Sequence, residues 1–110
     1  MANSSPSVQV KQIETQVSMI LRRIDPQKLE TKPRAALANL RQALGDARIY
    51  ACDYEFSEMR DEQLANAKKA KKYLVQAHQN ILKASEFDIF GAADVAQLSA
   101  QIDQIIGGLK

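Results

Sequence analysis

One stretch governs what this chain can fold into. Arg34 to Glu86 contains no proline and a single glycine, Gly45, and is rich in Ala, Leu, Glu, Gln, Lys, Arg and Met. These are the strongest helix formers. The segments before and after it are shorter and amphipathic, each suited in length to pack on half of it. The chain therefore reads as all-α, an antiparallel helical bundle forming a single domain over residues 1–110.

The long stretch carries two apolar stripes. The first is Leu37, Leu40, Leu44, Ala47, Ala51 and Tyr54; the second is Ile49, Cys52, Phe56, Met59, Gln63, Ala67, Ala70, Leu74, Ala77, Ile81 and Ala84. At about 100° per residue the stripes point roughly 120° apart, overlapping only between Ile49 and Tyr54. Two architectures follow. One is three helices around a long central helix over about 34–86, about 80 Å long at 1.5 Å per residue. The other is an up-down four-helix bundle with a break near 57–61, where Ser57 or Asp61 starts a new helix. The unbroken period of the second stripe and the lack of Gly or Pro favour continuity. The usual length of globular helices favours the break. The balance tips to continuity.

The flanks are simpler. Residues 1–5 are expected to be disordered. Helix 6–24 starts with Ser5 as N-cap and Pro6 at the first helical position. It buries Val10, Ile13, Val17, Ile20 and Ile24, with Val8 and Met19 on the far side. Asp25-Pro26 stops it, and Thr31 ahead of Pro33 is the next cap. Phe87, Ile89 and Phe90 are expected to plug the end of the bundle. Asp88 or Gly91 then starts helix 92–107, whose stripe is Val95, Leu98, Ile102, Ile105 and Leu109, before a Gly107-Gly108 stop.

Composition narrows the function classes. A net charge of +2 is too small to argue for nucleic acid by itself. One cysteine, Cys52, makes no internal disulfide and points to a reducing compartment. No signal-peptide pattern opens the chain and no segment is long enough to span a bilayer. The expectation is a cytoplasmic protein without a membrane partner.

Charge falls in blocks. Residues up to Tyr50 carry Lys11, Arg22, Arg23, Lys28, Lys32, Arg34, Arg41 and Arg48 against Glu14, Asp25, Glu30 and Asp46; then Asp53, Glu55, Glu58, Asp61 and Glu62 meet only Arg60. The next block holds Lys68, Lys69, Lys71, Lys72 and Lys83. Lys68, Lys69, Lys72 and Lys83 with Gln76 and Gln79 share the side opposite the second stripe, either a solvated face or a docking surface for phosphates or an acidic partner. Glu55, Glu58 and Glu62 share a face, but the Glu-x-x-His pairs of a di-iron bundle are absent. The lone His78 has no evident nucleophile partner, and Cys52 reads as a small hydrophobe. Tyr50 and Tyr54, one turn apart, either form an exposed aromatic patch or close the core. No phosphate loop, zinc spacing or nucleophile elbow is present.

The expected function is therefore a non-enzymatic helical protein-interaction module: an adaptor, regulatory, assembly or structural subunit. No catalytic residue, cofactor or metal is expected. Partner binding is assigned to Tyr50, Tyr54, Phe56, Met59, Lys68, Lys69 and Lys72. In a continuous helix the two-sided apolar surface near Ile49 to Met59 cannot be covered by two short partners, so a homodimer is expected. The alternative is nucleic-acid or polyanion binding through the lysine-rich face.

Overall fold

The computed structural model describes residues 5–109, so the disordered stretch expected over residues 1–5 lies, except for Ser5, outside the described residues. Four α-helices account for most of the chain: α1 (Pro6–Leu21), α2 (Thr31–Phe56), α3 (Arg60–Ser85) and α4 (Ala92–Gly108). A short 3-10 turn, Pro26–Lys28, sits between α1 and α2. Each helix packs on the next, and α4 closes onto α1. This is an up-down four-helix bundle, in which short connectors make successive helices antiparallel.

The continuous central helix is thus overturned. The molecule measures 47 Å along its longest axis. That suits a 26-residue helix such as α2, about 39 Å at 1.5 Å per residue, and not a rod of twice that length. The chain leaves the helical region at Ser57 (φ −72°, ψ 130°) and is still extended at Met59 (φ −94°, ψ 135°). Neither Gly nor Pro makes this turn; polar side chains hold it. The Ser57 hydroxyl donates to the Asp53 carbonyl at 2.6 Å, satisfying an acceptor orphaned by the helix end. From α3, Gln63 Nε2 donates to the Ser57 carbonyl (3.2 Å) and Asn66 Nδ2 to its hydroxyl (3.0 Å). Gln63, placed by its spacing on an apolar stripe, is a clamp on the turn.

The break splits the second stripe. Its α3 portion, Ala67, Ala70, Leu74, Ala77, Ile81 and Ala84, is core as expected. Its α2 portion is not: Ile49 and Phe56 are exposed, and so is Met59 in the turn. The first stripe faces inward through Leu37, Leu40, Leu44, Ala47 and Ala51, in one core cluster with Val10, Ile13 and Val17 of α1 and Leu98, Ile102 and Ile105 of α4. The backbones of α2 and α3 run close along their length, because alanine supplies much of what both helices bury.

Helix ends depart modestly from expectation. α1 stops at Leu21 rather than Ile24, tightening into turn-type bonds from Arg23 N to Ile20 O and Ile24 N to Leu21 O. The Asp25 carboxylate then accepts the Gln27 amide at 3.0 Å. α2 starts earlier than Arg34, with Glu30 as N-cap. Pro33 is accommodated in the first turn, where a backbone N–H has no intrahelical partner to lose. Gly91 is the N-cap of α4. Asp88 takes the left-handed conformation in the preceding turn (φ 59°), which a short polar side chain tolerates. Ile89 and Phe90 plug the bundle end, but Phe87 is exposed.

Candidate interaction surfaces

Phe56 and Met59, at the α2–α3 tip, are the two most exposed large apolar side chains among the described residues. Phe56 is 78% exposed, Met59 61% and Ile49 55%. Ile49 and Phe56 are seven residues apart, so they share a side of α2, and that side is opposite the buried Leu40–Leu44–Ala47–Ala51 stripe. Ile49 and Phe56 thus face away from the bundle's own core.

A second cluster forms where α2 crosses the middle of α3. The rings of Tyr50 and Tyr73 stack with centroids 5.6 Å apart and planes 5° from parallel. Lys69 Nζ lies 5.2 Å from the Tyr50 centroid and Lys72 Nζ 5.7 Å from that of Tyr73. Helix side chains lean toward their own N-terminus. In an antiparallel pair Tyr50 therefore leans up α2 while Tyr73 leans down α3, and the rings meet. Sequence reading selected Tyr50, Lys69 and Lys72 but not Tyr73, whose place in the stack depends on the register between the helices. Tyr54 is half-buried against the core and Lys68 is exposed on the outer side of α3. A polar groove of about 410 Å³ adjoins the stack, lined by Asn39 and Asp46 of α2 and Gln76, Asn80 and Lys83 of α3.

The acidic residues do not converge. Glu55 reaches α1 instead, its carboxylate accepting the Ser7 amide (2.7 Å) and hydroxyl (2.9 Å). This caps the N-terminus of α1, which lacks a side-chain cap from Ser5. Glu58 lies in the break and Glu62 in the first turn of α3, both exposed to solvent. Among the described residues no group of three or more His, Cys, Asp or Glu could hold a metal. His78 Nε2 and Ser99 Oγ are 2.9 Å apart, tying α3 to α4. The fold thus brings to His78 a hydroxyl that its own sequence neighbourhood does not supply. Cys52 is a half-buried free thiol.

A third surface follows the outer groove between α1 and α2. Arg34, Arg41 and Arg48 recur every seven residues along it, and Arg48 Nε is 2.9 Å from a Glu14 carboxylate oxygen on α1. That spacing is visible in the sequence, but only the packing of α1 shows that the arginines border a groove.

Comparison of this chain with known protein families, curated proteins and solved structures finds no match. Function is therefore argued from its own surfaces. Among the described residues no helix is long and apolar enough to cross a membrane.

Proposed function

We propose that this chain is a non-enzymatic helical protein-interaction module, of the adaptor, regulatory, assembly or structural kind. It docks a protein partner, a second copy of itself included, through the tip and outer face of the α2–α3 hairpin. The observation that carries the reading is the exposure of Phe56 and Met59 at the hairpin tip, with Ile49 exposed two turns away on the same side of α2. Burying a side chain of this kind is worth about 1.5–3 kcal/mol, and grouped exposed apolar residues mark interaction sites. Self-association no longer rests on an uncovered continuous helix; it rests on this patch. Cys52 as a free thiol suits the reducing cytoplasm.

The test compares the wild-type chain with a Phe56→Ser/Met59→Ser double variant. Sedimentation velocity across a micromolar concentration series reads self-association, and affinity capture from the native cell with mass spectrometry reads other partners. The reading predicts that the double variant loses either the dimer or a captured protein. If both chains stay monomeric and capture the same proteins, it is wrong.

A second reading has an observation of its own. The Tyr50–Tyr73 stack flanked by Lys69 and Lys72 combines aromatic and cationic groups as polyanion and nucleic-acid surfaces do. It predicts salt-dependent binding of duplex DNA or RNA that Lys68→Gln, Lys69→Gln and Lys72→Gln together abolish. No binding at low salt ends it.

A further inference from the structure

The groove between α1 and α2 is lined differently from the hairpin tip. At its upper end lies a cleft of about 490 Å³ whose apolar walls include Leu21, Ile24, Leu29 and Leu37, with Arg22, Arg34 and Arg41 at its margin. Ser18 and Arg41 continue it downward to Glu14 and Leu44, and Ser18 and Arg22 to Met19 and Arg48. Three adjoining pockets thus follow the groove, the upper one apolar with arginines at its margin and the lower two bordered by Glu14 as well as by arginines.

The arginines of α2 are in helical register. Arg34, Arg41 and Arg48 stand about 10.5 Å apart at 1.5 Å per residue, on one line down the groove. The lowest shows how such a position is filled: Arg48 pairs with Glu14, a carboxylate presented by a helix lying alongside. Arg34 is anchored over the cleft by a 2.9 Å bond from its guanidinium to the Leu29 carbonyl. Arg22 and Arg41 pair with no carboxylate among the described residues.

We infer that this groove is a docking site for an acidic amphipathic helix of a partner protein. Carboxylates seven residues apart on that helix meet Arg34 and Arg41, and an apolar side chain enters the cleft walled by Leu21, Ile24, Leu29 and Leu37. Three features select this occupant. Seven-residue spacing of charge is how neighbouring helices specify each other. Guanidinium groups bind carboxylates in pairs of parallel hydrogen bonds. The apolar cleft asks for an aliphatic or aromatic anchor, which a nucleic-acid backbone lacks. The inference rests on the chain being a protein-binding module but uses a surface other than the hairpin tip.

The probe is a fluorescent synthetic helical peptide of three heptads, with Glu every seventh residue and Leu on the adjoining face. Two controls share its length: one has Gln for each Glu, the other the same composition in scrambled order. Fluorescence anisotropy on the full chain is expected to show binding to the Glu peptide only, weakening as NaCl rises. Arg34→Gln/Arg41→Gln is expected to weaken it at least about tenfold. Circular dichroism of that variant should remain that of the wild type, since both side chains are exposed. Phe56→Ser/Met59→Ser should leave peptide binding unchanged, whatever it does to other partners.

Several results overturn the inference. No binding at about 100 μM peptide does so, as does equal binding of the scrambled peptide, which would leave only non-specific charge attraction. Loss of binding in the tip variant but not the arginine variant would refute the groove while sustaining the tip. Duplex DNA that binds more tightly than the peptide and needs Arg34 and Arg41 would make this a nucleic-acid surface instead. Sedimentation that shows a dimer dissociated by the arginine variant would make the occupant a second copy.

Discussion

At the scale of single residues, the most informative is Glu55. It stands in an acidic run where a solvated face is the ordinary reading, yet its carboxylate takes both the amide and the hydroxyl of Ser7. Hydrogen bonds to a charged group contribute about 1.5–3 kcal/mol, more than neutral ones. Glu55→Ala should therefore lower the unfolding free energy in urea by about 1–3 kcal/mol, and Glu55→Gln by less, because an amide oxygen still accepts. An unchanged transition midpoint for Glu55→Ala would show that the cap contributes nothing. The turn clamps belong to the same scale. Removing Gln63 and Asn66 together by alanine should cost about 1–2 kcal/mol, through two neutral hydrogen bonds to Ser57. If the double variant is as stable as the wild type, the extended backbone at Ser57 has another cause.

At the scale of elements, α2 contains a weakness and a constraint. Gly45 lies inside the helix, and a Cβ added there would meet nothing within 4 Å. Gly45→Ala should stabilise the protein by about 0.5–1 kcal/mol, because alanine loses less backbone entropy on folding and fits the helix unstrained. In thermal unfolding that is a rise of several degrees, at roughly 4–8 °C per kcal/mol for a domain of this size. A lower transition temperature would mean that Gly45 has a packing or functional role. Its opposite is Ala77, fully buried on the face of α3 turned inward. Ala77→Leu should cost about 1–3 kcal/mol, since a larger side chain there separates closely packed helices. The same elements show why the second stripe misled. Its period is a true helical signal on each side of Ser57, but a stripe keeps its direction only while the helix does. Two extended residues re-aimed it, leaving Ala67, Ala70 and Leu74 inside and Ile49 and Phe56 outside.

At the scale of the whole molecule, the exposed patch and the core should respond in opposite ways. Phe56→Ser/Met59→Ser removes two large apolar side chains that contribute little to the bundle's own packing. Stability should change by no more than about 0.5 kcal/mol, while partner binding is lost. Ile102→Ala, at a position with no exposed surface, should instead cost about 2–5 kcal/mol. Equal losses from the two would place Phe56 and Met59 in the folding core rather than at an interface. The tip, the lysine–tyrosine stack and the arginine-bordered groove are built from different residues, and the Phe56/Met59, Lys68/Lys69/Lys72 and Arg34/Arg41 variants address them one by one.

What the sequence determined by itself was local. Helical class, the stripes of α1 and α4, the inward face of Leu37, Leu40 and Leu44 and the N-terminal proline of α1 all follow from periodicity and capping chemistry within a few turns. What only the tertiary structure decided depends on distance in the chain. Gln63 and Asn66 reach back across six and nine residues to stop α2. Glu55 finds Ser7 across 48 positions, and Tyr50 meets Tyr73 because of the register between antiparallel helices. Propensity scales see each residue with its neighbours. Whether a helix without Gly or Pro continues or turns is settled by the side chains it meets after turning, and those become neighbours only in the folded bundle.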